Sequence, residues 1–348
     1  MSPNKRLPAA SACDPVMPSG PRVRSRSPRG AFTLTELLVV IAIIGVLTSL
    51  VTAAAVSAWN KARTSRITLE IQTLSQAMEQ INSDFGIYPP NAMHTGQALN
   101  DGPQQGDIAN DLNRTFKKLF PRHQESPALI AQIAGASNGL VGGMAASEAI
   151  YFWLGGFSDD PKYPISGTGG PSFNISTTPT EVVEDRNRRA EFDLTRLGPR
   201  NVDGSFAGRF IQYTVNVNGV SQDRQINFWQ YFPKGSAQPL VYFDVSRYKP
   251  YQYDMHAASD PLLEVHAIAK LREGVSVAST PADLAFVDQG KYQILHAGLD
   301  EDWGNFASLS YMEQGGVNIL MFPNGPFTGG LADNLASFTT GTLEQAQP

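Results

Sequence analysis

Arg29-Gly30-Ala31-Phe32-Thr33-Leu34-Thr35-Glu36, run straight into the uncharged stretch Leu37–Val56, decides how this chain of 348 residues is organised. The stretch matches the ~20 apolar residues that a helix needs to cross a ~30 Å hydrocarbon layer. Glu36 is the anomaly, because a carboxylate at the edge of a lipid-facing helix is expensive. An ordinary secretory signal carries its small-residue cleavage site after the apolar run, whereas Gly30 and Ala31 precede it. On general physics two readings stay open. One is an uncleaved signal anchor whose Glu36 snorkels to the headgroups near a favourable helix N-terminus. The other is a segment cut before the apolar run.

Charge separates the two ends of the chain. Residues 1–31 hold Lys5, Arg6, Arg22, Arg24, Arg26 and Arg29 against Asp14, a net of +5. Of the chain's 27 basic and 32 acidic residues, 21 and 31 then remain, a net of −10. An acidic body argues against bulk nucleic-acid binding, which rests on basic phosphate contacts. The basic leader favours a cytoplasmic N-terminus, although Lys61, Arg63 and Arg66 follow the apolar run. Cys13, the single cysteine, lies ahead of that run. Removal of the leader would leave a chain unable to form a disulfide, reliant on its core or on a metal.

The stretch Gly30–Leu47 resembles the class III signal of type IV pilins and type II secretion pseudopilins. The resemblance implies that a prepilin peptidase cuts between Ala31 and Phe32 on the cytoplasmic side and methylates the Phe32 amine. It implies that the apolar helix becomes a filament core, and that Glu36 is the assembly glutamate, neutralised by a neighbouring subunit's amine. Three positions depart from the usual pattern. Ala31 stands where glycine is usual, Thr35 where a bulky apolar residue is usual, and Ala53 where many relatives carry a kinking proline.

Beyond the apolar run, Ile67, Ile71, Leu74, Met78, Ile81 and Phe85 alternate spacings of four and three, one face of an amphipathic helix. Gly86 and Pro89-Pro90 end it. Gly86-Ile87-Tyr88-Pro89-Pro90 resembles the turn after the long helix of major pseudopilins. Ile108, Leu112, Phe116 and Leu119 predict a short helix, with others over Pro127–Ala136 and Ala146–Leu154. Residues 158–204, rich in Gly, Pro and charge, read as a long surface excursion. Phe210–Val217 alternates and leads into Asn218-Gly219, a hairpin turn. Leu240–Val245, Glu264–Ala269, Tyr292–His296 and Val317–Phe322 are further strands. No helical pattern alternates with them, so the fold class expected is α+β, a long helix packed on an antiparallel sheet. Residues 91–288 form a large insertion without counterpart in a small pseudopilin.

Tyr292–Asp302 looks like the last strand and acidic loop of major pseudopilins, and Asp333–Phe338 is similar to their closing turn. The resemblance implies calcium as cofactor, with Asp300, Asp302 and Asp333 as ligands. Calcium takes six to eight oxygens in flexible loops. The pattern is not that of an EF-hand, since Gly304 falls at the fifth position. A solvated acidic loop is the plainer reading. Gly135-Ala136-Ser137-Asn138-Gly139 fits G-x-S-x-G, but a nucleophile elbow needs a strand before the serine and a helix after it, so a glycine-rich loop is expected. His94, His123, His256, His266 and His296 lack zinc spacing. Gly167-Thr168-Gly169-Gly170 lacks a phosphate-loop lysine. The aromatic groups Phe228–Phe232 and Tyr248–Tyr253 suit core packing, an interface, or a polymer-stacking surface.

The expected organisation is a leader at 1–31, a transmembrane and filament-core helix at 32–58, and an exported domain at 59–348. No catalysis is expected. The implied partners are prepilin peptidase, like subunits and an inner-membrane assembly platform. The implied location is a single-pass inner-membrane protein whose domain is periplasmic or in an extracellular filament. The rival is a membrane-tethered binding module for polysaccharide or another ligand.

Overall fold

One helix, α1, runs unbroken from Leu34 to Phe85. The computed structural model describes residues 33–91, 105–176, 186–217, 220–247, 259–260, 263, 265–276, 283–304, 306, 321–325 and 327–348. The chain divides into two compact units between Val56 and Ser57. In the first, every described side chain of α1 is exposed, Leu37, Ile41, Ile44 and Leu50 among them. Such exposure is ruinous in water and suits a helix surrounded by lipid or by other apolar helices. Nothing breaks α1 at Ala53, as expected where proline is absent.

The second unit begins with the rest of α1. Its buried residues are Ile67, Ile71, Leu74, Met78 and Ile81, the face that the spacing predicts. Their burial contributes on the order of 10 kcal/mol before chain entropy is charged against it. Three further helices follow: α2 (Gln105–Leu119), α3 (Pro127–Ile133) and α4 (Ala146–Leu154). All nine residues of α4 are buried. Phe116 of α2 lies 5.2 Å from Trp153 and 6.0 Å from Phe157, ring centre to centre.

The strands are short. β1 (Ser172–Asn174), β2 (Leu197–Gly198), β3 (Phe210–Val217), β4 (Val220–Asn227) and β5 (Gln230–Tyr231) precede β6 (Val241–Asp244). Then come β7 (Ser259–Asp260), β8 (Val265–His266), β9 (Ala269–Leu271), β10 (Leu284–Phe286), β11 (Tyr292–His296), β12 (Met321–Phe322) and β13 (Leu335–Ala336). The class is α+β, with a long helix and antiparallel pairing, as expected. The pairing is nevertheless divided among small sheets ordered β1-β4-β3, β10-β9-β12, β13-β11-β6, β2-β5 and β7-β8. One pair, β12 with β9, is parallel. Of the expected strand Val317–Phe322 only Met321 and Phe322 are described, and Glu264 and the turn Asn218-Gly219 lie outside the described residues.

The turn after α1 is a structural junction. Tyr88, Pro89, Pro90 and Asn91 are all buried. The Pro89 carbonyl accepts from Tyr242 Oη at 2.7 Å and the Pro90 carbonyl from Trp153 Nε1 at 2.8 Å. Arg247 donates to the Tyr88 carbonyl at 2.9 Å while pairing with the buried Asp244. Gly86, at φ +65°, ends the helix, and the carbonyls of the two prolines beyond it tie α4 and β6 to it. On β11, Tyr292 Oη donates to the Ser75 carbonyl of α1 at 3.0 Å.

The stretch 158–204 is not simply a surface excursion. Ile165, Phe192 and Leu197 belong to the main core. Glu125, itself buried, anchors part of it by accepting from the backbone amides of Ile165 and Ser166 at 2.7 and 2.8 Å.

Candidate functional site

Two places carry the residues singled out in the sequence: the start of α1 and the loop after β11. At the first, Thr33 precedes the helix and Glu36 sits three residues later. Glu36 Oε2 accepts from the Thr33 amide and from Thr33 Oγ1, both at 2.9 Å, and Thr33 Oγ1 accepts from the Glu36 amide at 3.2 Å. This is a capping box, which satisfies orphan amide groups at a helix start. Within a single chain, then, Glu36 has a local job. The pattern Thr-x-x-Glu made it legible in the sequence, beneath the louder signal of a charge beside an apolar run. Ala31 and Phe32 lie outside the described residues.

At the second place, β11 pairs with β13 through Leu295↔Ala336 and His296↔Leu335. The register brings the residues just after β11 against those just before β13. Asp333 Oδ2 accepts from the amides of Leu299 and Asp300 at 2.6 and 3.1 Å. Asp333 Oδ1 is shielded from solvent and, among the described residues, has no donor. Burial and the nearby Asp333 carboxylate raise the Asp300 pKa. Gly298, at φ +77°, passes so close that an added Cβ would sit 2.4 Å from the Asp333 carboxyl carbon. Glycine is required there twice over, for conformation and for space.

Asp300 Oδ1 accepts from the Asp302 amide at 2.9 Å, and Asp302 makes the corresponding bond two residues on. Asp302 Oδ1 accepts from the Gly304 amide at 2.9 Å, and a Cβ on Gly330 would meet its carboxyl carbon at 2.6 Å. Among the described residues no three acidic, histidine or cysteine side chains converge as metal ligands. Asp300 and Asp333 do lie together in this loop, with one Asp333 oxygen lacking a donor among the described residues.

His296 and Arg63 support this loop, a role that the sequence assigned to neither. His296 Nδ1 accepts from the Gly298 amide at 3.0 Å, which leaves the ring proton on Nε2, 3.0 Å from Ser236 Oγ. Burial pushes its pKa down to about 4. Arg63 of α1 pairs with Glu301 of the loop at 2.5 Å and donates to the Gly235 carbonyl. Glu301 takes φ +61°, an uncommon conformation for its residue type.

The remaining motifs that fall on described residues have structural roles. Ser137 follows α3 in a turn region, so the strand that a nucleophile elbow requires before it is missing. Phe228, Trp229 and Tyr231 are buried in the main core and form no stacking surface. Tyr248–Tyr253, His94 and His256 lie outside the described residues. His123 packs on Phe116 and His266 on Phe306.

A family model described as the prokaryotic N-terminal methylation motif matches residues 26–52. No curated protein and no solved structure matches the chain. The matched residues span the end of the basic leader, the Ala31–Phe32 junction, Glu36 and most of the apolar run. The chain therefore carries the prepilin N-terminal methylation motif across the start of a long apolar helix, and is consistent in general terms with a membrane-anchored, pilin-like subunit of the type IV pilin and pseudopilin group.

Proposed function

We propose that the chain is a structural subunit of a type II secretion pseudopilus or a type IV pilus, and that it catalyses no reaction. The methylation motif at residues 26–52, joined to an exposed apolar helix, carries this reading. Prepilin peptidase cuts between Ala31 and Phe32 and methylates the new amine. Residues 32–58 hold the subunit in the inner membrane with its N-terminus cytoplasmic, and residues 59–348 face the periplasm or the outside. An inner-membrane platform then adds the subunit to a filament of like subunits.

The capping box gives Glu36 two successive partners. In the lone subunit its charge is spread over the Thr33 amide and hydroxyl. In the filament the amine of a neighbour's Phe32 replaces them, and a buried carboxylate left without that amine would be costly. Mass spectrometry of chain purified from cells with prepilin peptidase should find an N-methylated Phe32 terminus. In those cells Glu36→Ala should be cut normally, and filament-incorporated subunit should fall at least tenfold. An intact Met1 terminus would refute the processing, and normal incorporation of Glu36→Ala would refute the pairing.

Asp300 and Asp333, with Asp302 as the weaker third ligand, hold calcium in this reading together with carbonyl oxygens of the loop, and the ion supplies a cross-link where disulfides are missing. Calcium titrated into the detergent-solubilised chain should raise its melting temperature. Asp333→Asn should abolish that rise, and a calorimetric titration without heat would remove the metal from the account.

A further inference from the structure

The geometry points to the free edge of β3 as a docking site for an extended polypeptide segment of a partner protein. β3 is the outer strand of the sheet ordered β1-β4-β3. Its register with β4 runs from Phe210↔Asn227 to Val217↔Val220. The Phe228 amide donates to the Arg209 carbonyl at 3.0 Å, which makes 209 and 228 a hydrogen-bonded pair. In an antiparallel ladder such pairs alternate. Residues 211, 213, 215 and 217 therefore turn their backbone groups toward β4, and Phe210, Gln212, Thr214 and Asn216 turn theirs outward. Among the described residues no backbone group bonds to the outward set.

Edges of this kind are normally blunted by charge, proline or a bulge. Phe210-Ile211-Gln212-Tyr213-Thr214-Val215-Asn216-Val217 has neither charge nor proline, and its register with β4 is unbroken. Val, Ile, Thr, Tyr and Phe make up six of its eight residues, all strand formers. The strand is thus a template that nothing in its own sequence discourages from pairing.

A cleft of about 780 Å³ lies alongside, within the ~300–1,000 Å³ typical of ligand sites. Four consecutive residues, Tyr213 to Asn216, line it. Successive side chains of a strand point to opposite faces, so four in a row bring the edge itself to the cleft. Gln132 of α3, Tyr163 and Arg224 of the neighbouring β4 line it as well. Pairing along Gln212, Thr214 and Asn216 would supply backbone bonds, while alternate side chains of the added strand would enter the cleft, as in strand addition generally.

A lone strand suits this edge better than a second copy of the chain. Two-fold pairing of β3 with β3 keeps the same face of both sheets together. It would place both α3 helices beside the join, where each already walls its own cleft.

The test uses the full-length chain in detergent and a fluorescein-labelled eight-residue peptide of alternating threonine and valine. A second peptide carries N-methyl groups on the residues whose amides would face β3. Fluorescence anisotropy should show saturable binding of the first peptide and at least tenfold weaker binding of the second. Thr214→Pro removes one outward amide without breaking the β3–β4 ladder, and should cost at least tenfold with an unchanged far-ultraviolet spectrum. Because the methylated peptide needs no protein variant, misfolding of Thr214→Pro would leave the comparison intact. No saturable binding, or equal binding of both peptides, would overturn the proposal. Displacement of the peptide by maltoheptaose would assign the cleft to sugar instead. A concentration-dependent dimer in light scattering that Thr214→Pro abolishes would assign the edge to a second copy.

Discussion

Glu148→Ala should destabilise the unit Ser57–Pro348 by about 3–5 kcal/mol, the cost of stranding one half of a buried ion pair. Glu148 is 1 % exposed and sits in the first turn of α4, every residue of which is buried. One carboxylate oxygen accepts from the Ala145 amide at 2.9 Å, capping the helix, and the other accepts from Arg209 Nε at 2.9 Å. Arg209 also donates to the carbonyls of Val141 and Gly143 at 2.8 and 3.0 Å. The pair therefore joins the loop before α4 to the residue that leads into β3. Alanine leaves the guanidinium without its counter-charge and the Ala145 amide without its acceptor, and it opens a cavity. Urea unfolding of the detergent-solubilised chain measures the loss. Glu148→Met combined with Arg209→Met removes both charges and should lose less than Glu148→Ala alone. A loss below ~1 kcal/mol for Glu148→Ala would show that the pair does not hold α4 in place.

Elements with a clear period were legible in the sequence. The α1 face from Ile67 to Ile81 and the alternation of Phe210–Val217 emerge where the spacing places them. In 158–204 the apolar residues are scattered among glycines, prolines and charges, so there was no period to count. Ile165, Phe192 and Leu197 reach the core through long-range packing and through the buried Glu125. Fragmentation of the expected sheet into small ones has a similar origin. Two-residue strands such as β5 and β13 are defined by their partners, not by their own sequence.

The sites divide along the same line. The capping box is local, three residues apart, and could be read from Thr33 and Glu36 alone. The meeting of Asp300 and Asp333 spans 33 residues and exists because β11 pairs with β13. A family resemblance suggested that meeting, whereas hydropathy and spacing had no means of doing so. The supports of the loop, Arg63 and His296, come from α1 and β11 and have no sequence signature.

His296 makes the folded domain acid-sensitive over a defined window. Its ordinary pKa of 6.5 falls to about 4 in the fold, chiefly through burial. Between those values the unfolded chain binds a proton that the folded chain refuses, so stability rises with pH there. The contribution is complete above 6.5, declines as pH falls, and is gone by about 4. At about 1.4 kcal/mol per pH unit the loss is ~3 kcal/mol. Urea unfolding at pH 7.5 and pH 4.5 should show most of it, and His296→Asn, which cannot titrate, should flatten that difference. An equal pH dependence in wild type and variant would rule out His296 as the source. The consequence is local as well as global. Protonation at Nδ1 forfeits the bond from the Gly298 amide, and Gly298 is packed directly on the Asp333 carboxylate. Acid should therefore disturb the Asp300–Asp333 loop before it unfolds the domain. Amide exchange of Leu299 and Asp300, which donate to Asp333, would report that disturbance as a loss of protection, measured against the intrinsic rate at each pH, as pH falls toward about 4.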